Sequence, residues 1–253
     1  MDSVSNILGI DKVNMDGKLI VIEERHNSNA NFLLSAIVSN ALKKNYEICF
    51  VLFHNTFNHY HNMGMKFGYN LSLQKEKGKV VVIEPMKIIA SDIERIHKQP
   101  TNDILKDVFV IIKNECQKIM QDNKPVIIII DDVSHFSNLK CDLRESVYYL
   151  RYLRSLVERY NMSHICIVTH TYKDDLKDCT SNIIAHGLQQ MAHLFVKTEP
   201  LESGYSSDAS GNITVNWRTS AVTTKYKWPE AARYIYKLAN RQVQIYAPGA
   251  SVL

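Results

Sequence analysis

Two adjacent carboxylates, Asp131 and Asp132, end the apolar run Val126-Ile127-Ile128-Ile129-Ile130. In nucleotide-hydrolysing folds the acid at such a strand end holds Mg²⁺, so Asp131 could coordinate a metal and Asp132 could polarise a water. That chemistry needs a second part, a Gly-rich loop whose amides cradle phosphates and whose Lys and Ser/Thr meet the phosphate charge and the metal. With the pattern G-x-x-x-x-G-K-[ST] placed between the first expected strand and its helix, Glu24 and Asn29 stand at the glycine positions, Ala30 at the Lys position and Asn31 at the Ser/Thr position. Every required position is changed. Without Lys the phosphate lacks its counterion, without Gly the anion nest forms poorly, and Glu23 and Glu24 repel phosphate. Arg25 and His26 remain as groups that could meet an anion. A metal acid without a phosphate loop has little to coordinate, so Asp131 and Asp132 read better as caps of the next turn, a role that Ser134 and Asn138 also suit.

The elements that must position these residues alternate. A β-branched run bounded by Pro125 and by acids reads as a strand buried on both faces, as in the centre of a parallel sheet. Residues 18–22, 48–53, 79–83, 126–130 and 164–169 are expected strands, and 31–44, 57–67, 104–120, 143–160 and 183–191 are expected helices, the second closed by Gly68. From His193 the grammar changes to strands at 194–198, 211–217, 235–238 and 243–247, with no helix expected between the last of them. The alternation implies an α/β three-layer sandwich with a mainly parallel sheet, extended at its C-terminal end by antiparallel edge strands.

The chain has 253 residues, 45% of them hydrophobic and 22% charged, with 9 Gly and 6 Pro, enough for one domain with a full core spanning residues 1–253. No apolar run approaches a membrane span and the first residues form no secretory leader, so a folded protein of cytoplasm and nucleus, with no membrane partner, is expected. The five cysteines form no C-x-x-C pair, and Cys49, Cys116 and Cys166 sit in apolar segments. A thiol-bearing core is expected rather than a disulfide frame or a metal site. His59 and His61 lack a helix-spaced third ligand. A net charge of +4 permits contact with nucleic acid without demanding it.

Several segments together resemble a known fold. They are the strand, loop and helix from Leu19 to Lys44, Cys49-Phe50-Val51 leading to His59-Tyr60 and Gly64-x-Lys66-x-Gly68, the acid-ending strand, and the run Glu199-Pro200-Leu201-Glu202-Ser203-Gly204. In this order they look like a diverged RecA-type ATPase fold. More narrowly, their order and the ending with Ala247-Pro248-Gly249 resemble the family of subunit six of the Elongator complex, over nearly the whole chain. The resemblance implies a RecA-like protein that forms a heterohexameric ring with subunits four and five. It also implies that the ring binds tRNA and joins the catalytic subcomplex that begins 5-carboxymethyl-type modification of wobble uridine. On that resemblance the chain is an accessory subunit with no catalytic residues, no cofactor and no metal.

In RecA-like assemblies the segments after the fourth and fifth strands face the ring centre, here 134–144 and 170–186. They offer Lys140, Arg144, Lys173 and Lys177 as tRNA-contact candidates, beside His135, His170, Tyr172 and His186. The mixed charges of Lys173-Asp174-Asp175 and Lys177-Asp178 fit a solvated loop equally. On the 143–160 helix the aliphatics form one stripe and Arg and Tyr occupy others, which makes Arg151 and Tyr152 the interface candidates. Three functions stay open: a non-catalytic ring subunit for tRNA modification, an ATPase with an atypical or shared inter-subunit site, and a recombinase paralogue that binds single-stranded DNA.

Overall fold

The alternation of apolar strands and amphipathic helices folds as expected. In the computed structural model, residues 1–91, 101–120, 124–139, 142–159, 163–172, 179–204 and 206–247 are described. The first half runs α1 (Asp2–Leu8), β1 (Leu19–Arg25), α2 (Asn31–Lys43), β2 (Glu47–Leu52), α3 (Phe57–Phe67), α4 (Leu71–Glu76), β3 (Val80–Ile83), α5 (Pro85–Ser91) and α6 (Thr101–Met120). It continues with β4 (Val126–Asp131), a 3₁₀ turn (Val133–Leu139), α7 (Leu143–Arg159), β5 (Ser163–Thr171), α8 (Thr180–Met191) and β6 (Leu194–Glu199). The chain then ends on β7 (Gly211–Trp217), α9 (Ser220–Tyr226), β8 (Ala231–Leu238) and β9 (Val243–Tyr246).

The strands form one sheet in the order β3-β2-β4-β5-β1-β6-β7-β8-β9. The first six are mutually parallel and the last three pair antiparallel. Parallel strands buried on both faces need apolar side chains at every position, which is why Val126 to Ile130 are all fully buried. Alternate residues point to opposite faces. Ile20, Ile22, Phe50, Ile127 and Ile129 pack against Phe32, Leu33 and Ile37 of α2 and Leu71 of α4. Leu19, Val21, Val51, Ile128 and Ile130 pack against Phe109 and Ile112 of α6, Leu150 and Leu153 of α7, and Ile184 and Leu188 of α8. The result is the expected three-layer α/β fold.

In the antiparallel extension β7 alternates strictly. Ile213, Val215 and Trp217 of β7 turn to the α2 side, and only Tyr236 of β8 is fully buried there. Cys49 and Cys166 are buried thiols outside any disulfide, one in each half of the core, and burial pushes the Cys166 thiol up. Four short helices depart from the sequence expectation: α1, α4, α5 and α9, the last lying between β7 and β8. The strand expected at 235–238 also starts earlier, at Ala231. No helix among the described residues is long and apolar enough to cross a membrane.

Candidate functional site

Parallel strands bring their C-terminal ends to one edge of the sheet, where βα loops converge and ligands bind in this architecture. Glu24 and His170 are register partners on β1 and β5, and Asp131 ends β4 beside Leu52 of β2. Glu24, His170 and Asp131 continue the rows Ile20-Ile22, Cys166-Val168 and Ile127-Ile129, so all three face α2. Tertiary pairing therefore assembles in one place the acids and the loop that the sequence separates by a hundred residues.

A histidine at their centre is the organising group. His170 contacts Asp132 Oδ2 through Nδ1 and Glu24 Oε1 through Nε2, the latter at 2.9 Å. Burial works against its charge, but the hydrogen bonds to Asp132 and Glu24 prevail and raise it to about 10. His170 is therefore a cation held between two carboxylates. Burial alone would raise Asp132, yet His170 and the amide and hydroxyl of Ser134, at 2.8 and 2.7 Å, hold it below the ordinary carboxylate range. Asp131 behaves oppositely. Burial, then the neighbouring Asp132 charge, pushes it up to about 7 while Tyr60 donates to its Oδ2. Asp131 lines a small hollow at the strand ends, with its Oδ2 engaged by Tyr60. Asp132 caps the turn after β4 by accepting from the Ser134 amide, whereas Asp131 accepts from Tyr60 and caps nothing in that turn. Among the described residues no group of three or more His, Cys, Asp and Glu side chains is arranged to hold a metal ion.

In the loop from Arg25 to Asn31 most backbone amides are already paired within the chain. A phosphate-binding loop works by aiming unpaired amides at the ligand. In this chain His26 N–H donates to Thr171 O at 2.8 Å and Ser28 N–H to Arg25 O at 2.9 Å. Ala30 N–H donates to Glu24 Oε2 at 2.8 Å, and Asn31 N–H to Asn29 Oδ1 at 3.0 Å. Asn29 N–H meets Tyr236 Oη at 3.4 Å, and Ser28 Oγ donates to Arg25 O at 2.7 Å. Glu24 thus puts the chain's own carboxylate against the amide of Ala30, the residue that precedes α2. The hollow left between Glu24, Asn31, His54, Asn55 and His170 measures about 130 Å³. Sites for drug-sized ligands and cofactors run to roughly 300 Å³ and more. Of the two candidates for an anion, Arg25 donates to Glu199 Oε1 at 2.8 Å, which Lys197 also meets at 2.9 Å, and the His26 ring lies 5.9 Å from that of Tyr172.

The family model for Elongation complex protein 6 matches residues 2–240. The chain belongs to that family. The human Elongator complex protein 6 is 24% identical over 248 residues, covering 93% of this chain and 92% of its own length. Its counterpart in Danio rerio is 27% identical over 218 residues, 80% of each chain, and that of Drosophila melanogaster is 22% identical over 254 residues, 98% and 96%. Among solved structures, a KaiC-like protein of the hyperthermophilic archaeon Pyrococcus horikoshii superposes with a TM-score of 0.56 at 11% identity, covering 91% of this chain and 90% of that one. That likeness supports the RecA-like fold read from the order of elements.

Other candidates from the sequence fall on both sides of the sheet edge. Lys140, Lys173 and Lys177 lie outside the described residues. Arg144 sits at the start of α7, with its guanidinium 5.7 Å from the centre of the Tyr148 ring. His170, expected to face a ring centre, is turned inward to the two carboxylates, and His135 stacks on His54 at 4.5 Å. His186, with Glu23, Thr171, Asn182 and Lys197, lines a separate polar cleft on the α8 side of the sheet. Arg151 and Tyr152 are exposed on α7. The inward role of His170 was missed from sequence. Its signal is that Glu24, Asp132 and His170 each stand two positions past the last aliphatic of a buried strand, which places them at one edge.

Proposed function

We propose that this chain is a non-catalytic RecA-like subunit of an Elongator complex. In this reading residues 1–253 form one domain that joins subunits four and five in a heterohexameric ring. The ring binds tRNA and works with the catalytic subcomplex on 5-carboxymethyl-type modification of wobble uridine, in cytoplasm and nucleus. The observation that carries the accessory role is the loop from Arg25 to Asn31, where the amides of His26, Ser28, Ala30 and Asn31 donate to the chain itself, the one of Ala30 to Glu24. Family membership supports the complex. Arg144, with Lys140, Lys173 and Lys177, supplies the proposed tRNA contacts, and Arg151 and Tyr152 the proposed subunit interface.

The test is copurification of the tagged full chain with its companions, followed by mass spectrometry and an ATP turnover assay on the chain alone. Subunits four and five should be recovered, and turnover should stay at background with or without Asp131→Ala. Recovery of recombination proteins in their place, or turnover abolished by Asp131→Ala, overturns the reading.

A further inference from the structure

On the face of the sheet opposite the closed loop, α6 and α7 lie side by side over the same half of the core and leave an open groove of about 440 Å³. Its floor is the pair Phe109 and Tyr149, stacked in parallel with ring centres 3.6 Å apart and an interplanar angle of 4°. Its walls are Val110, 52% exposed, with Tyr148, 57% exposed, and Tyr152. Single exposed apolar side chains are ordinary, but a contiguous cluster of this kind marks a contact surface. The charged groups on its lining are Lys106 and Lys113, and Arg144 and Arg151 stand beside Tyr148 and Tyr152. The acids of α7 point to other partners: Glu145 closes on the start of its own helix, and Glu158 pairs with Arg154 at 2.7 Å.

We propose that this groove receives an amphipathic helix from another polypeptide, with an apolar stripe in the groove and Glu or Asp along the stripe's flanks. The proposal rests on the reading of the α7 face as an assembly surface and names the chemistry of what docks there. Two features select this occupant, in a kind of apolar groove between helices that receives the apolar face of an amphipathic helix. The basic rim complements an acidic flank and disfavours a basic one. Nucleic acid fits less well, because base stacking needs free ring faces. Phe109 and Tyr149 cover each other, and Arg144 lies over Tyr148.

The experiment uses the full chain and two synthetic helical peptides with the same Leu/Ile stripe, one flanked by Glu and one by Lys, with binding followed by fluorescence anisotropy at low salt. The Glu-flanked peptide should bind at least about tenfold more tightly. The triple change Lys113→Glu, Arg144→Glu and Arg151→Glu should reverse that order, and Val110→Ser with Tyr148→Ser should weaken both peptides. Circular dichroism and urea midpoints close to the parent's keep the variants interpretable, since all these side chains are at the surface. Equal binding of the peptides, binding of neither, or an unchanged order in the triple variant overturns the proposal. So does displacement of the Glu-flanked peptide by oligouridine at lower concentration, or self-association that Val110→Ser and Tyr148→Ser abolish. None of these readouts involves subunits four and five, so loss of copurification with them would count against the ring reading and leave the peptide result to judge the groove.

Discussion

The two faces of the sheet treat their surfaces in opposite ways. On the α2 face, at the strand ends where a RecA-like protein would receive a nucleotide, the polar groups are satisfied by one another: Glu24 by Ala30 and His170, Asp132 by His170 and Ser134, and Asp131 by Tyr60. On the α6–α7 face, side chains that would be stabilised by cover stand in water, with Val110 and Tyr148 each more than half exposed. The lesson is that a strand-end site can be filled by the protein's own polar groups, because a buried polar group left without a partner costs about 1–3 kcal/mol. An apolar groove carries no such penalty for each unpaired atom, and it persists where a partner can cover it.

The contrast is broken most strongly through His170. His170→Ala leaves the buried Asp132 and the nearby Glu24 without their shared cation, and breaking such a pair from one side costs about 3 kcal/mol or more. Urea unfolding should show a loss of that order. A loss below about 1 kcal/mol would mean that the carboxylates find other partners and that the α2 face is not closed by mutual pairing.

Gly211→Ala probes the antiparallel extension that backs the closed loop. A Cβ at Gly211 would lie 2.5 Å from the Glu199 carbonyl oxygen and 2.9 Å from the Tyr236 ring. The clash should cost about 1–3 kcal/mol, read as a lower unfolding midpoint. Tyr60→Phe, which removes the donor to Asp131, should cost about 1 kcal/mol on the same measurement.

The pH dependence of stability sharpens the same comparison. The folded pKa of His170, about 10, lies above its ordinary value of 6.5, so its contribution is complete below about pH 6.5 and disappears as pH rises through about 10. Asp131, raised to about 7, has the same sign at lower pH: its contribution is present below about pH 4 and lost as pH rises through 7. Urea midpoints should therefore fall between about pH 7 and pH 10 in the parent, and fall less in His170→Gln. Equal slopes in the two proteins would remove His170 from the account. The smallest effect belongs to the other face, where Tyr148→Ser and Val110→Ser should each stay within about 0.5 kcal/mol of the parent.

The alternation of strands and helices was legible because periodicity reports burial directly. The all-buried Val126–Ile130 and the Gly68 helix stop, with φ 89, sit where the sequence places them. The short helices were not legible. Asp2–Leu8 and Ser220–Tyr226 are each 7 residues long, too short for a periodic stripe to stand out, and tertiary packing of Leu8 and Val222 stabilises them. At the site, the absence of glycine and lysine was visible in Glu24, Asn29, Ala30 and Asn31. What fills the space was not. The Glu24–His170 pairing depends on β1 and β5 being neighbours in register, and strand order is a property of the folded sheet that no local window of sequence contains.

One contact has a bearing on how the protein is made. The Tyr236 hydroxyl meets both the amide and, at 3.4 Å, the carbonyl of Asn29, and the Ser28 hydroxyl lies 3.1 Å from Thr198 O. These partners are 207 and 170 residues apart in the sequence. During synthesis from the N-terminus, a loop formed near the beginning of the chain waits for residues that emerge near its end. Until then the Asn29 amide has only water as a partner, while the amides of Ser28, Ala30 and Asn31 already meet near neighbours in the sequence.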